Sequence, residues 1–240
     1  MKQLDAGLAQ GMALIDRPGA SVVVPAVLGD ESILYRPLGG VPVLARTLIA
    51  LDQISQVREI IVVTRAAQLG QAADLCWMYD LRRVRKVVCA KAPGLETLTM
   101  GVYECDPAAQ VIAIHDPLRP FVTEDVFADA LAAAMRAGAS APAVPVKDTI
   151  KIVCDGVVQE TPDRSSLHLL QTPQMVESSL LKAALDRARE ADTEAVHLPT
   201  MLELLGIQLQ LSQGSDENIR VGSVTDLPAA EAILAKRMYL

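Results

Sequence analysis

Short apolar runs recur along the first half of the chain: S-V-V-V-P at 21–25, E-I-I-V-V at 59–63, R-K-V-V-C at 85–89 and V-I-A-I at 111–114. Runs rich in Val and Ile, without polar alternation, predict strands buried on both faces. Between them, 47–51, 68–79 and 96–103 space their apolar residues at three and four, the period of a helix packed on one side. Strand and helix therefore alternate. That order predicts a parallel sheet with helices on both faces, a three-layer α/β domain.

The second half begins in the same way and then changes. Residues 124–137 read as an alanine-rich helix whose first turn carries Glu124 and Asp125, where carboxylates suit the helix dipole. An extended run follows at 138–146. Two β-like runs, 149–153 and 157–160, flank Cys154-Asp155-Gly156, and Asp-Gly between such runs is a hairpin signal. This hairpin interrupts the alternation, so it is expected to project from the sheet as an arm spanning about 146–165. Helices are predicted at 178–189, 200–205 and 227–238, with a late strand at 208–211. Residues 1–19 carry weak patterning and end in Pro18-Gly19, an N-terminal extension before a single domain at 20–240.

Composition narrows the function classes. A net charge of -7 disfavours a nucleic-acid binder, which would show a basic face. The four cysteines stand singly, so neither a disulfide framework nor a zinc knuckle is implied. No apolar run approaches the roughly 18 residues of a membrane span, and residues 1–18 lack a signal-peptide core, so a cytoplasmic protein without membrane or nucleic-acid partners is expected.

The stretch that bears chemistry follows 111–114. His115, Asp116 and Arg119 stand at the carboxyl end of that strand, with Pro117 and Pro120 stiffening the turn. Ligands of open α/β sheets bind at this edge. An acid and a base held there suit a phosphate, a metal or both, while an Asp-Arg pair that merely closes a loop is the plain alternative.

Six segments, in order, resemble the 2-C-methyl-D-erythritol 4-phosphate cytidylyltransferases of isoprenoid biosynthesis. They are V-V-V-P-A at 22–26, P-L-G-G-V-P-V-L at 37–44, I-H-D-P-L-R-P at 114–120, P-V-K-D-T-I-K at 145–151, R-S-S-L-H-L-L-Q-T-P-Q at 164–174 and G-S-D-E-N-I-R-V at 214–221. The resemblance implies a Rossmann-like nucleotidyltransferase sheet and a homodimer joined through the arm. It implies a reaction in which CTP and a sugar-alcohol phosphate give a CDP-alcohol and pyrophosphate, with Mg2+. Asp116 would hold the metal and serve catalysis with Arg220, which stands where the family typically has lysine. Arg119, Thr149, Arg164 and Thr172 would bind the acceptor, Thr149 and Arg164 from the partner subunit's side. Pro25, Ala26, Gly29, Arg36 and Thr97 fall on the nucleotide side.

The nucleotide side also departs from the family pattern. Between Pro25 and Pro37 the chain is shorter than the family's glycine-rich loop, and Gly29 is the sole glycine there. Phosphate cradles repeat glycine so that backbone N–H groups converge without Cβ interference. Asp30 and Glu31 add carboxylates, and the family's lysine aligns with Ile33, leaving Arg36 as the only cation of that segment. The family's G-G-x-x-R-x-x-S-V reads A-K-A-P-G-L-E-T-L at 90–98. These departures predict impaired cytidylyl transfer. A non-catalytic binding or regulatory dimer, and a transferase for another nucleotide, stand as the alternatives.

Overall fold

The computed structural model describes residues 18–27, 31–191 and 197–238. In chain order the elements are β1 (Ala20–Pro25), α1 (Glu31–Leu34), a tight hairpin of β2 (Pro37–Leu38) and β3 (Val41–Pro42), α2 (Val43–Gln53) and β4 (Val57–Thr64). There follow α3 (Leu69–Met78), β5 (Val84–Cys89), α4 (Leu95–Tyr103), β6 (Val111–Ile114), α5 (Glu124–Ala137) and β7 (Ala139–Pro145). The chain continues through β8 (Ile152–Cys154), β9 (Val157–Glu160), β10 (His168–Leu170), β11 (Gln174–Glu177), α6 (Ser178–Glu190), α7 (Leu198–Glu203), β12 (Gln210–Gln213) and α8 (Leu227–Met238).

Among the described residues eight strands form the main sheet, in the order β10-β7-β11-β6-β1-β4-β5, with β12 beside β7. The half built from β6, β1, β4 and β5 is parallel, as its apolar runs predict. Alternate residues of these strands feed two cores. Val22, Val24, Ile60, Val62 and Ala113 face α2 and α5. Val23, Ile61, Val63, Ile112 and Ile114 face α4, α6 and α7. Burial on both faces explains why these strands carry no polar alternation.

Local signals set several boundaries. Thr123 caps α5 by accepting the Val126 N–H at 3.4 Å, Glu124 and Asp125 fill its first turn, and Gly138, at φ 84°, closes it. That helix ends where the sequence predicts. Other elements were not anticipated. Strands β2, β3, β10 and β11 and helix α1 are too short to show a period, and the late strand sits two residues beyond its predicted start. In the arm the second strand falls where expected, while the first begins at Ile152 and 149–151 remain irregular; among the described residues β8 and β9 pair only with each other.

The unexpected β11 matters most. It inserts antiparallel between β6 and β7, pairing Gln174 with Ile114 and Met175 with Ser140. This places the Gln171-Thr172-Pro173 bend directly beside the end of β6.

Candidate active site

Four segments converge at the carboxyl end of β6. The first is 115–120, where the His115 N–H donates to Val23 O at 2.9 Å and so sets the turn beside the end of β1. Thr47 of α2 supports it from below by donating to Pro117 O at 2.7 Å. The second is the bend before β11. The third is the loop after β12, residues 214–223, which carries Arg220. The fourth is α8, whose Lys236 and Arg237 pair with Glu217 at 2.6 and 3.3 Å and pin that loop down.

His115 is wholly buried, and burial pushes its pKa down to about 4. Its hydrogen bonds fix the tautomer. Arg119 O, 3.1 Å from Nε2, can only accept, so Nε2 carries the proton and Nδ1 is the acceptor. The Thr172 hydroxyl, 3.2 Å from Nδ1, therefore donates to it and accepts the Asp116 N–H at 3.0 Å. A directional chain thus runs from the Asp116 backbone through Thr172 and His115 to Arg119. It fixes where the Asp116 carboxylate stands.

Both oxygens of that carboxylate are engaged. Oδ1 accepts the Leu118 N–H at 2.9 Å, and Oδ2 accepts from Arg220 Nε at 2.8 Å. Arg119 behaves differently from a ligand-facing cation. Its Nη1 donates to Asn218 O at 2.6 Å and its Nη2 to Leu170 O at 3.4 Å, so it braces backbone. Burial lowers its pKa, nearby Asp116 opposes that shift and Arg220 adds to it. The two guanidinium groups and one carboxylate form one electrostatic cluster.

The structure places the sequence candidates unevenly. Asp116, Arg119, Thr172 and Arg220 are brought together. Pro25 and Ala26 are buried at the end of β1, next to β6 in the sheet. Thr97 is buried and its hydroxyl donates to Ala92 O at 3.0 Å. Arg36 is exposed on a surface recess that it lines with Ser32, Gln68, Gln71 and Leu227, without Asp116 or Arg220. Thr149 and Arg164 lie exposed on the arm, and Arg164 donates to Lys147 O at 2.8 Å. Gly29 lies outside the described residues.

Three contributors had no sequence role assigned. Asn218 Nδ2 donates to Thr172 O at 2.9 Å. Gln171 and Ser215 exchange bonds of 2.8 and 3.1 Å. Together they fasten the Arg220 loop to the Thr172 bend. All three sit inside the matched segments Q-T-P-Q and G-S-D-E-N, which is the signal that marks them.

The donor set does not suit a resident magnesium ion. Mg2+ demands near-octahedral oxygen ligation, and Asp116 offers a carboxylate already bound to a cation. Among the described residues no group of three or more His, Cys, Asp or Glu is placed to hold a metal. A dication on Asp116 would have to displace Arg220 from Oδ2 or sit beside its positive charge.

A mostly parallel sheet with an Asp–Arg corner at its carboxyl edge is the α/β architecture in which ligands bind at that edge. The family model described as IspD, 2-C-methyl-D-erythritol 4-phosphate cytidylyltransferase, matches residues 27–236. The chain belongs to that family. It is 37% identical over 204 residues to the cytidylyltransferase of that name from Geobacillus thermodenitrificans, covering 84% of this chain and 88% of the relative. It is 32% identical over 230 residues to the one from Geobacter metallireducens, covering 94% and 98%. The structure of 4-diphosphocytidyl-2C-methyl-D-erythritol synthase from Anaerococcus prevotii superposes with a TM-score of 0.81 at 26% identity, covering 91% of this chain and 99% of that one.

Proposed function

We propose that this chain binds the phosphate of a phosphorylated polyol at the Asp116–Thr172–Arg220 corner and transfers a cytidylyl group to it only slowly. The reaction class is an in-line attack. An acceptor phosphate oxygen forms a bond to the α-phosphorus of CTP, and the bond from that phosphorus to the pyrophosphate oxygen breaks. Both reactants are anions, so catalysis consists mainly of positioning and charge neutralisation. The carrying observation is the convergence itself: Arg220 Nε on Asp116 Oδ2 at 2.8 Å, beside a Thr172 hydroxyl locked by His115.

Slow turnover is supported from the nucleotide side. Ile33, at the position aligned with the family's triphosphate lysine, is 1% exposed and belongs to the core. A buried isoleucine supplies no charge. Ala90, where the family pattern has glycine, is buried as well, and the Thr97 hydroxyl is already donated to a carbonyl. Loss of one preorganised charge stabiliser commonly costs on the order of 10²–10³ in rate. The same observations favour a second reading, a dimer that binds the polyol phosphate without turning over CTP. In both readings the chain pairs with a second copy through the arm, whose Ile152, Val153, Val157 and Val158 are exposed without partners from the core.

The test is pyrophosphate release from CTP with 2-C-methyl-D-erythritol 4-phosphate as acceptor, with Asp116→Ala run in parallel. The expected rate lies at least about 10²-fold below the ~10 s⁻¹ typical of enzymes, and the variant abolishes it. A rate near that typical value would remove the impairment. No release, with acceptor binding retained, would select the non-catalytic dimer.

A further inference from the structure

We infer that Arg220 takes the place of a divalent cation at this corner, so that the polyol phosphate is bound by a guanidinium seated on Asp116 and needs no metal. The inference rests on the acceptor-site reading above and concerns how that site holds its anion.

Three observations carry it. The first is how the guanidinium is used. Arg220 gives Nε to Asp116 Oδ2 at 2.8 Å, while its side chain remains 45% exposed. A guanidinium held through Nε keeps two Nη groups, and a pair of that kind can receive two phosphate oxygens at once. A lysine in this place would give a point charge and no fork. The second is charge. Asp116 stands in an ion pair with Arg220 and in the field of Arg119, so its own negative charge is already matched before any metal arrives. The next carboxylate along the loop, Asp226, is turned inward. Its Oδ2 accepts the Gly222 N–H at 2.9 Å, the Ser223 N–H at 2.8 Å and the Ser223 hydroxyl at 2.9 Å.

The third is that the seat is shaped for arginine. A Cβ at Gly222 would lie 2.5 Å from Arg220 Nη1, so the absent side chain makes the room the guanidinium occupies. The loop is held in register by the Val221 N–H, which donates to Leu118 O at 2.8 Å, on the same turn that supplies Leu118 N–H to Asp116. Carboxylate, guanidinium and glycine therefore stand together at one turn. In it the positive charge that a metal would bring is supplied by the chain.

The experiment is calorimetric titration of the intact protein with D-erythritol 4-phosphate, once with EDTA and once with saturating magnesium. The wild-type dissociation constant is expected to agree within about twofold between the two conditions, a difference well under the 1.4 kcal/mol of a tenfold change. Two variants displace the guanidinium while keeping its charge or its neighbours. Gly222→Ala pushes it off Asp116, and Arg220→Lys removes the fork. Each is expected to weaken binding in EDTA by about tenfold or more and to recover it in magnesium, because a freed Asp116 can then share a metal with the phosphate. As a second readout, water-proton relaxation with Mn2+ and D-erythritol 4-phosphate should show an Asp116-dependent bound ion in both variants and none in the wild type. Tenfold tighter wild-type binding in magnesium would overturn the inference alone and leave the acceptor site standing. Absence of binding in both conditions would overturn the acceptor site and this inference together.

Discussion

His115 governs the corner without facing solvent. The neutral, Nε2-protonated ring is what lets Thr172 donate to Nδ1 and still accept the Asp116 N–H. A proton on Nδ1 would reverse that bond, and the Thr172 hydroxyl would have to turn its own hydrogen away to accept from the ring. Burial is the main cause of the low pKa, with the bond to Arg119 O and the charge of Asp116 acting against it and Arg119 acting with it. The sign of the pH effect follows. The unfolded ring titrates near 6.5 and the folded ring at about 4, so the unfolded chain binds more protons between those values. Stability is complete above about pH 6.5 and is lost as pH falls towards 4, by about 3 kcal/mol in all. Carboxylates held low by hydrogen bonds, Glu124, Glu217 and Asp163 among them, lose their contributions from about pH 4.5 downward, below most of this window. Urea unfolding at stepwise pH should therefore show a decline from 6.5 to 5 that His115→Gln flattens. Equal slopes in the two proteins would show that the ring is not the group being titrated.

Elements of this fold are held at different tolerances, and the glycines of two helices show it. Gly101 of α4 lies against β1 and β4, and a Cβ there would overlap Val23 Cγ1 and come within 2.9 Å of Val63 Cγ2. Both valines are fully buried in central strands and have nowhere to retreat. Gly101→Ala is expected to destabilise by about 1–2 kcal/mol, since overpacking of about 1–3 kcal/mol outweighs the better helix propensity of alanine. Gly70 of α3 meets nothing within 4 Å, so Gly70→Ala should be neutral or stabilising by up to about 1 kcal/mol. Denaturant midpoints of the two variants give the comparison, and a neutral Gly101→Ala would mean that α4 can lift off the sheet. The same contrast explains what the sequence discloses. The central strands and α5 are legible because double-faced burial and caps leave a local mark. β10 and β11 span three and four residues and exist because of pairing with β7 and β6, which no local pattern records. At the site, Asp116, Thr172 and Arg220 are found through their segments. The inward turn of Arg119 is not, nor is the meeting of Arg220 with Asp116 across 104 residues of sequence. Those depend on side-chain direction after the chain has closed.

At the scale of the molecule, the arm is a part that the core does not explain. The arm strands β8 and β9 are exposed along their full length, yet carry Ile152, Val153, Val157 and Val158 at 48 to 61% exposure. An isolated two-stranded hairpin is marginal in water. An apolar patch on such a hairpin makes physical sense if a second surface covers it. The proposed cover is another copy of the chain, and that arrangement would also bring Thr149 and Arg164 towards a neighbouring acceptor site. Val153 and Val158 are cross-strand partners on the arm, so a lysine at each places like charges opposite one another in the middle of the patch. Val153→Lys with Val158→Lys should leave the sheet and its two cores intact, because neither residue belongs to them. Sedimentation of the wild type is expected to give a dimer and that of the double variant a monomer with an unchanged melting curve at the core transition. Polyol-phosphate affinity should fall together with dimerisation if the arms complete the sites in trans. A wild-type monomer at micromolar concentration would dismiss the arm as an interface. A monomeric variant with full affinity would instead assign the whole phosphate site to the Asp116–Arg220 corner of a single chain.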